Sequence, residues 1–158
     1  GHGDAFLHDN IIVNAGSFGI FADERTSIGP GMRILNNTII NPKKDGIRLY
    51  TDLVTNVVRN NVIVNPGSYS TYTYPRTGND AYIYLLKKTM NVQMSNNYLT
   101  RSISAPKFVN PWSFNYRLAS GSPLINKGAN ISTYRISKDF YQQARLKGYT
   151  YDIGACEY

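Results

Sequence analysis

The chain has 158 residues, of which 42% are hydrophobic and only 17% charged, with 13 tyrosines. This composition excludes a disordered chain and fits one ordered, β-rich domain. The formal net charge of +7 suits nucleic acid, an anionic membrane or an acidic glycan, with plain solubility as the bland alternative; no nucleic-acid motif, basic amphipathic helix or apolar run of spanning length is visible.

A short β-branched run bracketed by asparagines recurs along the chain. It appears as Asp9-Asn10-Ile11-Ile12-Val13-Asn14, Asn36-Asn37-Thr38-Ile39-Ile40-Asn41, Asn60-Asn61-Val62-Ile63-Val64-Asn65 and Asn96-Asn97-Tyr98-Leu99-Thr100-Arg101. The steps from Asn10 to Asn37 and from Asn37 to Asn61 are 27 and 24 residues, and the step to Asn97 is 36. The long step holds Gly67 to Gly78, which reads as a looped-out insertion. A period in the mid-twenties suits one coil of a solenoid made of three short strands.

Taken in order, residues 1–18 make the first coil and crowd His2, Asp4, His8 and Asp9 together, a cluster able to bind metal or move protons but with no zinc spacing. Gly19-Ile20-Phe21-Ala22 is a strand, and Asp23-Glu24-Arg25 ends it. Asp23 and Glu24 are candidate metal ligands, because Ca²⁺ takes carboxylate oxygens, and a carboxylate pair also suits a hydrolase. A charged turn explains them equally simply. Met32-Arg33-Ile34-Leu35 precedes the second asparagine pair, and Gly46-Ile47-Arg48-Leu49-Tyr50 follows it. Asn56-Val57-Val58-Arg59 and Tyr82-Ile83-Tyr84-Leu85-Leu86 repeat this arrangement around the third pair, and Asn91-Val92-Gln93-Met94 precedes the fourth. Short Ile-, Val- and Tyr-rich runs cut by Gly, Asn, Asp and Pro are strands, and no segment carries a capped helical period. Stacked corners put Asn10, Asn37, Asn61 and Asn97 about 4.8 Å apart, which lets their amides bond in a ladder. Asn14, Asn41 and Asn65 form a second ladder that stops at Arg101.

The Asn-Asn-x-Ile-x-Asn corner with its Gly-Ile-x-Leu strand, over residues 4–110, resembles the right-handed parallel β-helix of the pectin-lyase-like superfamily. The resemblance implies an all-β fold of about four coils and a secreted protein, extracellular or periplasmic, active on carbohydrate. From Phe108 the pattern changes. Leu118-Ala119-Ser120-Gly121-Ser122-Pro123-Leu124-Ile125-Asn126-Lys127-Gly128 and the terminal Asp152-Ile153-Gly154-Ala155-Cys156-Glu157 are similar to the closing tail of bacterial secreted β-helix proteins. Residues 1–110 are therefore expected to form coils, with an insertion over 67–78, and 111–158 a capping tail of the same domain. Asp139, Arg145 and Asp152 are expected as structural ion pairs of that tail.

Aligning strands by their distance to the next asparagine pair places Ile47 opposite Ile83, and Ile20 joins them if the extra residues before Asn36 loop out; Ile20, Ile47 and Ile83 then point inward, with Ala22, Leu49 and Leu85 beside them. The outward column is then Phe21, Arg48 and Tyr84, followed by a row of Asp23, Tyr50 and Leu86, with Lys87 and Lys88 at the rim. Aromatic faces stack on sugar rings and cations pair with uronate carboxylates. In enzymes resembling this chain, Arg or Lys serves as the base, often with Ca²⁺. Arg48 and Lys87 are the candidate base and cation, and Tyr50 or Tyr84 the candidate acid. Phe21, Tyr72, Tyr74 and Lys88 are candidate substrate contacts, and a solvated strand face is the competing reading. The expected function is a lyase on acidic polysaccharide, with a non-catalytic glycan-binding or structural module and a glycoside hydrolase as alternatives.

Cys156 is the one cysteine and is expected to be a small buried hydrophobe. The sequons at Asn36 and Asn130 are read as unused. The chain opens inside a coil with no signal peptide, so a mature or trimmed form is expected, with its N-terminal edge covered by a missing segment or another chain.

Overall fold

The computed structural model describes residues 5–22, 31–50, 55–67, 81–87 and 89–158. Eleven short strands supply three parallel sheets in strict rotation. Strands β1 (Phe6–His8), β4 (Arg33–Leu35), β7 (Asn56–Arg59) and β10 (Val92–Ser95) stack in that order as sheet A. Strands β2 (Ile11–Val13), β5 (Thr38–Ile40), β8 (Val62–Val64) and β11 (Tyr98–Thr100) stack as sheet B, and β3 (Ile20–Ala22), β6 (Ile47–Leu49) and β9 (Ile83–Leu85) as sheet C. Successive rungs of parallel strands in an all-β chain are compatible with a parallel β-helix. Among the described residues no helix is long and apolar enough to cross a membrane.

The corner between sheets A and B explains the asparagines. Asp9, Asn36, Asn60 and Asn96 turn it in the left-handed region, at φ 54°, 53°, 57° and 51°, which short polar side chains tolerate best after glycine. The residue that follows points its amide inward. Nδ2 of Asn10, Asn37 and Asn61 donates to Oδ1 of the asparagine in the next rung at 2.8, 3.0 and 2.9 Å. The same oxygens accept the backbone N–H of Asn10, Asn37 and Asn61. The ladder thus satisfies corner groups that no strand reaches. Asn14, Asn41 and Asn65 turn the next corner, also at positive φ, and bond in a second, exposed ladder.

Side-chain alternation does the rest. Ile12, Ile39, Ile63 and Leu99 of sheet B, Leu7, Ile34 and Val58 of sheet A, and Ile20, Ile47 and Leu49 of sheet C meet in one interior cluster. Sheet B is apolar on both faces, as strands buried on both sides are. Its outward Ile40, Val62 and Val64 are covered by Phe108, Tyr116, Leu118, Leu124 and Ile153 of the C-terminal tail. The tail begins with an antiparallel pair, β12 (Phe108–Asn110) and β13 (Asn115–Leu118).

This tail lies along the flank of the rungs, and no strand of it pairs with β10 or β11. Its backbone bonds to the corner column. Asn36 Nδ2 donates to the carbonyls of Asp152 and Gly154, Asn60 Nδ2 to that of Ala129 and Asn96 Nδ2 to that of Lys127. Gly154 sits at φ 98°, where a Cβ would come within 2.8 Å of Val62 and 2.9 Å of Thr38, so only glycine fits there. Asp139 and Asp152 are not ion-paired with Arg145 as expected. Each carboxylate instead accepts two backbone N–H groups, those of Gln143 and Glu157 and those of Asn126 and Tyr158. Loops without ladder partners need such acceptors.

Candidate functional site

The tail buries the outside of sheet B and part of sheet A, leaving the outer face of sheet C as the one that carries aromatic side chains without that cover. The register matches the sequence alignment of its strands: Ile20 lies beside Ile47 and Ile47 beside Ile83, and Phe21, Arg48 and Tyr84 form the outward column. Tyr50 follows β6, held by its N–H on the Ala22 carbonyl at 2.8 Å.

The rings run together as a strip. Phe18 lies 5.2 Å from Phe21, Phe21 is edge-on to Tyr50 at 5.4 Å, and Tyr50 is 6.2 Å from Tyr84, centroid to centroid. These are the separations at which aromatic pairs attract. Phe21 is 47% exposed, and Tyr50 and Tyr84 are half-buried.

Arg48 lies within this strip. Only 4% of it is exposed. Its guanidinium sits 4.5 Å from the Phe18 ring, 5.1 Å from Tyr50 and 5.0 Å from Tyr84, and its Nε lies 3.3 Å from Asp45 Oδ2. A cation over three ring faces and against one carboxylate fixes the ring positions. Enclosed in this way, it holds the platform together. Lys44 Nζ stands 5.1 Å over Phe18, and Lys87 is exposed at the rim. Phe18, Asp45 and Lys44 were not among the residues singled out from the sequence. Phe18 directly precedes the Gly19 that opens the strand, and Asp45 stands three residues before Arg48, the only signals available.

Of the other candidates, Asp23, Glu24, Tyr72, Tyr74 and Lys88 lie outside the described residues, as do His2 and Asp4. Among the described residues no group of three or more His, Cys, Asp or Glu side chains is arranged to hold a metal. On this face the Asp45 carboxylate lies against Arg48. His8 does not join the strip: it lies on sheet A, with Nδ1 at 2.7 Å from Asp9 Oδ2 and its ring 4.6 Å from Phe6.

The face therefore offers apolar ring surfaces with a buried cation beneath and lysines beside them. Comparison with protein-family models, with curated proteins and with solved structures gives no match.

Proposed function

We propose that this chain is a carbohydrate-binding parallel β-helix, of the right-handed pectin-lyase-like kind that its corner motif and tail resemble. In this reading it holds an acidic polysaccharide along the outer face of sheet C, outside the cell or in the periplasm. The observation that carries the proposal is the strip Phe18, Phe21, Tyr50 and Tyr84, which leaves a phenyl ring half in solvent on an ordered sheet. Rings fixed this way lose little freedom when a sugar stacks on them. The net charge of +7 and the lysines beside the strip favour a polyanion over a neutral chain. β-Elimination is the second reading. It is favoured by the two tyrosines that flank Arg48 at 5.1 and 5.0 Å, since a phenol beside a cation is a reasonable proton donor.

One experiment separates the readings. The protein is run through affinity gels containing uronic-acid polymers and neutral glycans, while ultraviolet absorbance of an unsaturated uronate is followed in parallel solutions with and without Ca²⁺. Retardation by the acidic polymers with a flat absorbance trace is the expected result. Rising absorbance would establish a lyase, and no retardation by any polymer would refute glycan binding.

A further inference from the structure

Three of the four corner residues between sheets A and B are asparagine, and the first is Asp9. Opposite it lies Arg145, 136 residues away in the chain and only 1% exposed. The Arg145 guanidinium donates to Asp9 Oδ1, to Glu157 Oε1 at 3.1 Å and to the Gly154 carbonyl at 3.0 Å. Asp9 and Glu157 are both buried, at 8% and 6% exposure. This contact ties the end of the tail to the first rung, whereas the other corners hold the tail through neutral amide bonds.

We propose that Asp9, Arg145 and Glu157 form a pH-responsive latch that fastens the C-terminal tail to the first rung and loosens as the solution turns alkaline.

The charge count supports it. Among the described residues, the titratable and charged groups that face the latch are His8 and Asp9 from the first rung, and Asp139, Arg145, Asp152, Cys156 and Glu157 from the tail, with Lys147 and Tyr158 lining the cleft beside Asp152 and Glu157 and Arg117 of β13 acting on Cys156. Among these, four carboxylates surround one buried guanidinium. Asp139 and Asp152 are anchored by backbone N–H groups. Asp9 and Glu157 share the cation, which fully compensates only one of them, so a retained proton relieves the second. Asp9 also reaches solvent through His8, whose side chain is 40% exposed.

The direction follows from linkage. Burial, and then Asp152, push the Glu157 carboxyl up to about 7, against the pull of Arg145. A carboxyl raised on folding contributes stability that is complete below its unfolded value of 4.5 and is lost as pH passes about 7. His8 is lowered, by burial and then by Arg145. Its contribution is present above its ordinary 6.5 and fades as pH falls. The latch is therefore firmest in mildly acidic solution. The apolar tail contacts over sheets A and B do not titrate and keep the rest of the tail in place.

Hydrogen exchange of the whole chain at pH 6 and pH 8.5 tests this, with peptides from β7 and β8 correcting for the intrinsic pH dependence. Opening of residues 139–158 relative to that reference is expected to rise by up to roughly tenfold between the two pH values, the full figure coming from a carboxyl moving from 4.5 to about 7 and the opposing His8 contribution reducing it. Glu157→Gln should remove the rise and keep the acidic-pH protection. Asp9→Asn restores the residue of the other corners and leaves the guanidinium to Glu157, so that carboxyl should titrate lower and the rise between pH 6 and pH 8.5 should shrink or vanish. Equal wild-type protection at both pH values, a full rise in Glu157→Gln, or an unchanged profile in Asp9→Asn would overturn the latch.

Discussion

Asn37→Ala tests how the rungs are held in register. Asn37 is fully buried and is not among the residues at positive φ, so alanine brings no backbone strain of its own. Its Oδ1 accepts from the N–H and Nδ2 of Asn10, at 3.1 and 2.8 Å. Its Nδ2 donates to the carbonyls of Leu7 and Leu35 and to Asn61 Oδ1, at 3.0, 3.1 and 3.0 Å. Truncation takes a donor from each carbonyl, and that of Leu35 keeps the Asp9 N–H at 3.3 Å. Asn61 Oδ1 still accepts the Asn37 N–H, and Asn10 is exposed enough for water to replace its lost acceptor. The Leu7 carbonyl at about 1–3 kcal/mol and the lost Leu35 bond at about 0.5–1.5 kcal/mol give a loss of roughly 1.5–4.5 kcal/mol. Urea unfolding measures it, with an unchanged m-value showing that the same surface is exposed. Asn65→Gly is the control. Asn65 is exposed at φ 47°, a conformation glycine adopts freely, and its one ladder bond to Asn41 faces water. It should cost no more than about 0.5 kcal/mol. A cost for Asn37→Ala no greater than for Asn65→Gly would refute the claim that the inner amide ladder stabilises the stack.

Gly46→Ala should destabilise by more than about 2 kcal/mol in the same assay, because a Cβ there meets the Tyr82 carbonyl at 2.7 Å and the Ile63 side chain; wild-type stability would show that the rungs can spread. Burial, and then Asp139, push the Cys156 thiol up to about 12, so a disulfide reagent at pH 8 should leave the native protein unmodified and react only in denaturant. Rapid native labelling would contradict that placement. Arg48→Ala should lower the melting temperature by several degrees, as roughly 2–3 kcal/mol of ring and carboxylate contacts disappear from a buried site. An unchanged melting temperature would show that the cation does not hold the strip.

The registers of sheet C could be read from the chain because two regularities act together. A strand alternates its side chains, and β6 and β9 stand at the same distance from the next asparagine pair, with β3 matching once the extra residues before Asn36 loop out, so Phe21, Arg48 and Tyr84 fall in one column. The corners were also legible, although the left-handed residue is the first of each pair and the laddering amide the second. Burial of Arg48 was not legible, because it depends on Phe18 and Tyr50, which reach it from the turn before one strand and the end of another. The lateral position of the tail had a signal that the repeat analysis did not use. Val62-Ile63-Val64 is apolar at every position, and a strand with one wet face would alternate. The pairing of Asp9 with Arg145 spans 136 residues, and no local pattern announces such a contact. Only the aspartate at a corner otherwise made of asparagine hinted at it.

The most direct test of the central claim is calorimetric titration of the acidic polymer that retards the protein most strongly. Wild type is compared with Phe21→Ala, Tyr84→Ala and Trp112→Ala; Trp112, 79% exposed, belongs to the tail and not to the strip. Losing one stacked ring of about 1–1.5 kcal/mol weakens binding roughly tenfold. The account predicts that loss in both strip variants and wild-type affinity in Trp112→Ala. Undiminished binding by Phe21→Ala and Tyr84→Ala, with loss in Trp112→Ala, would contradict it and move the site to the tail.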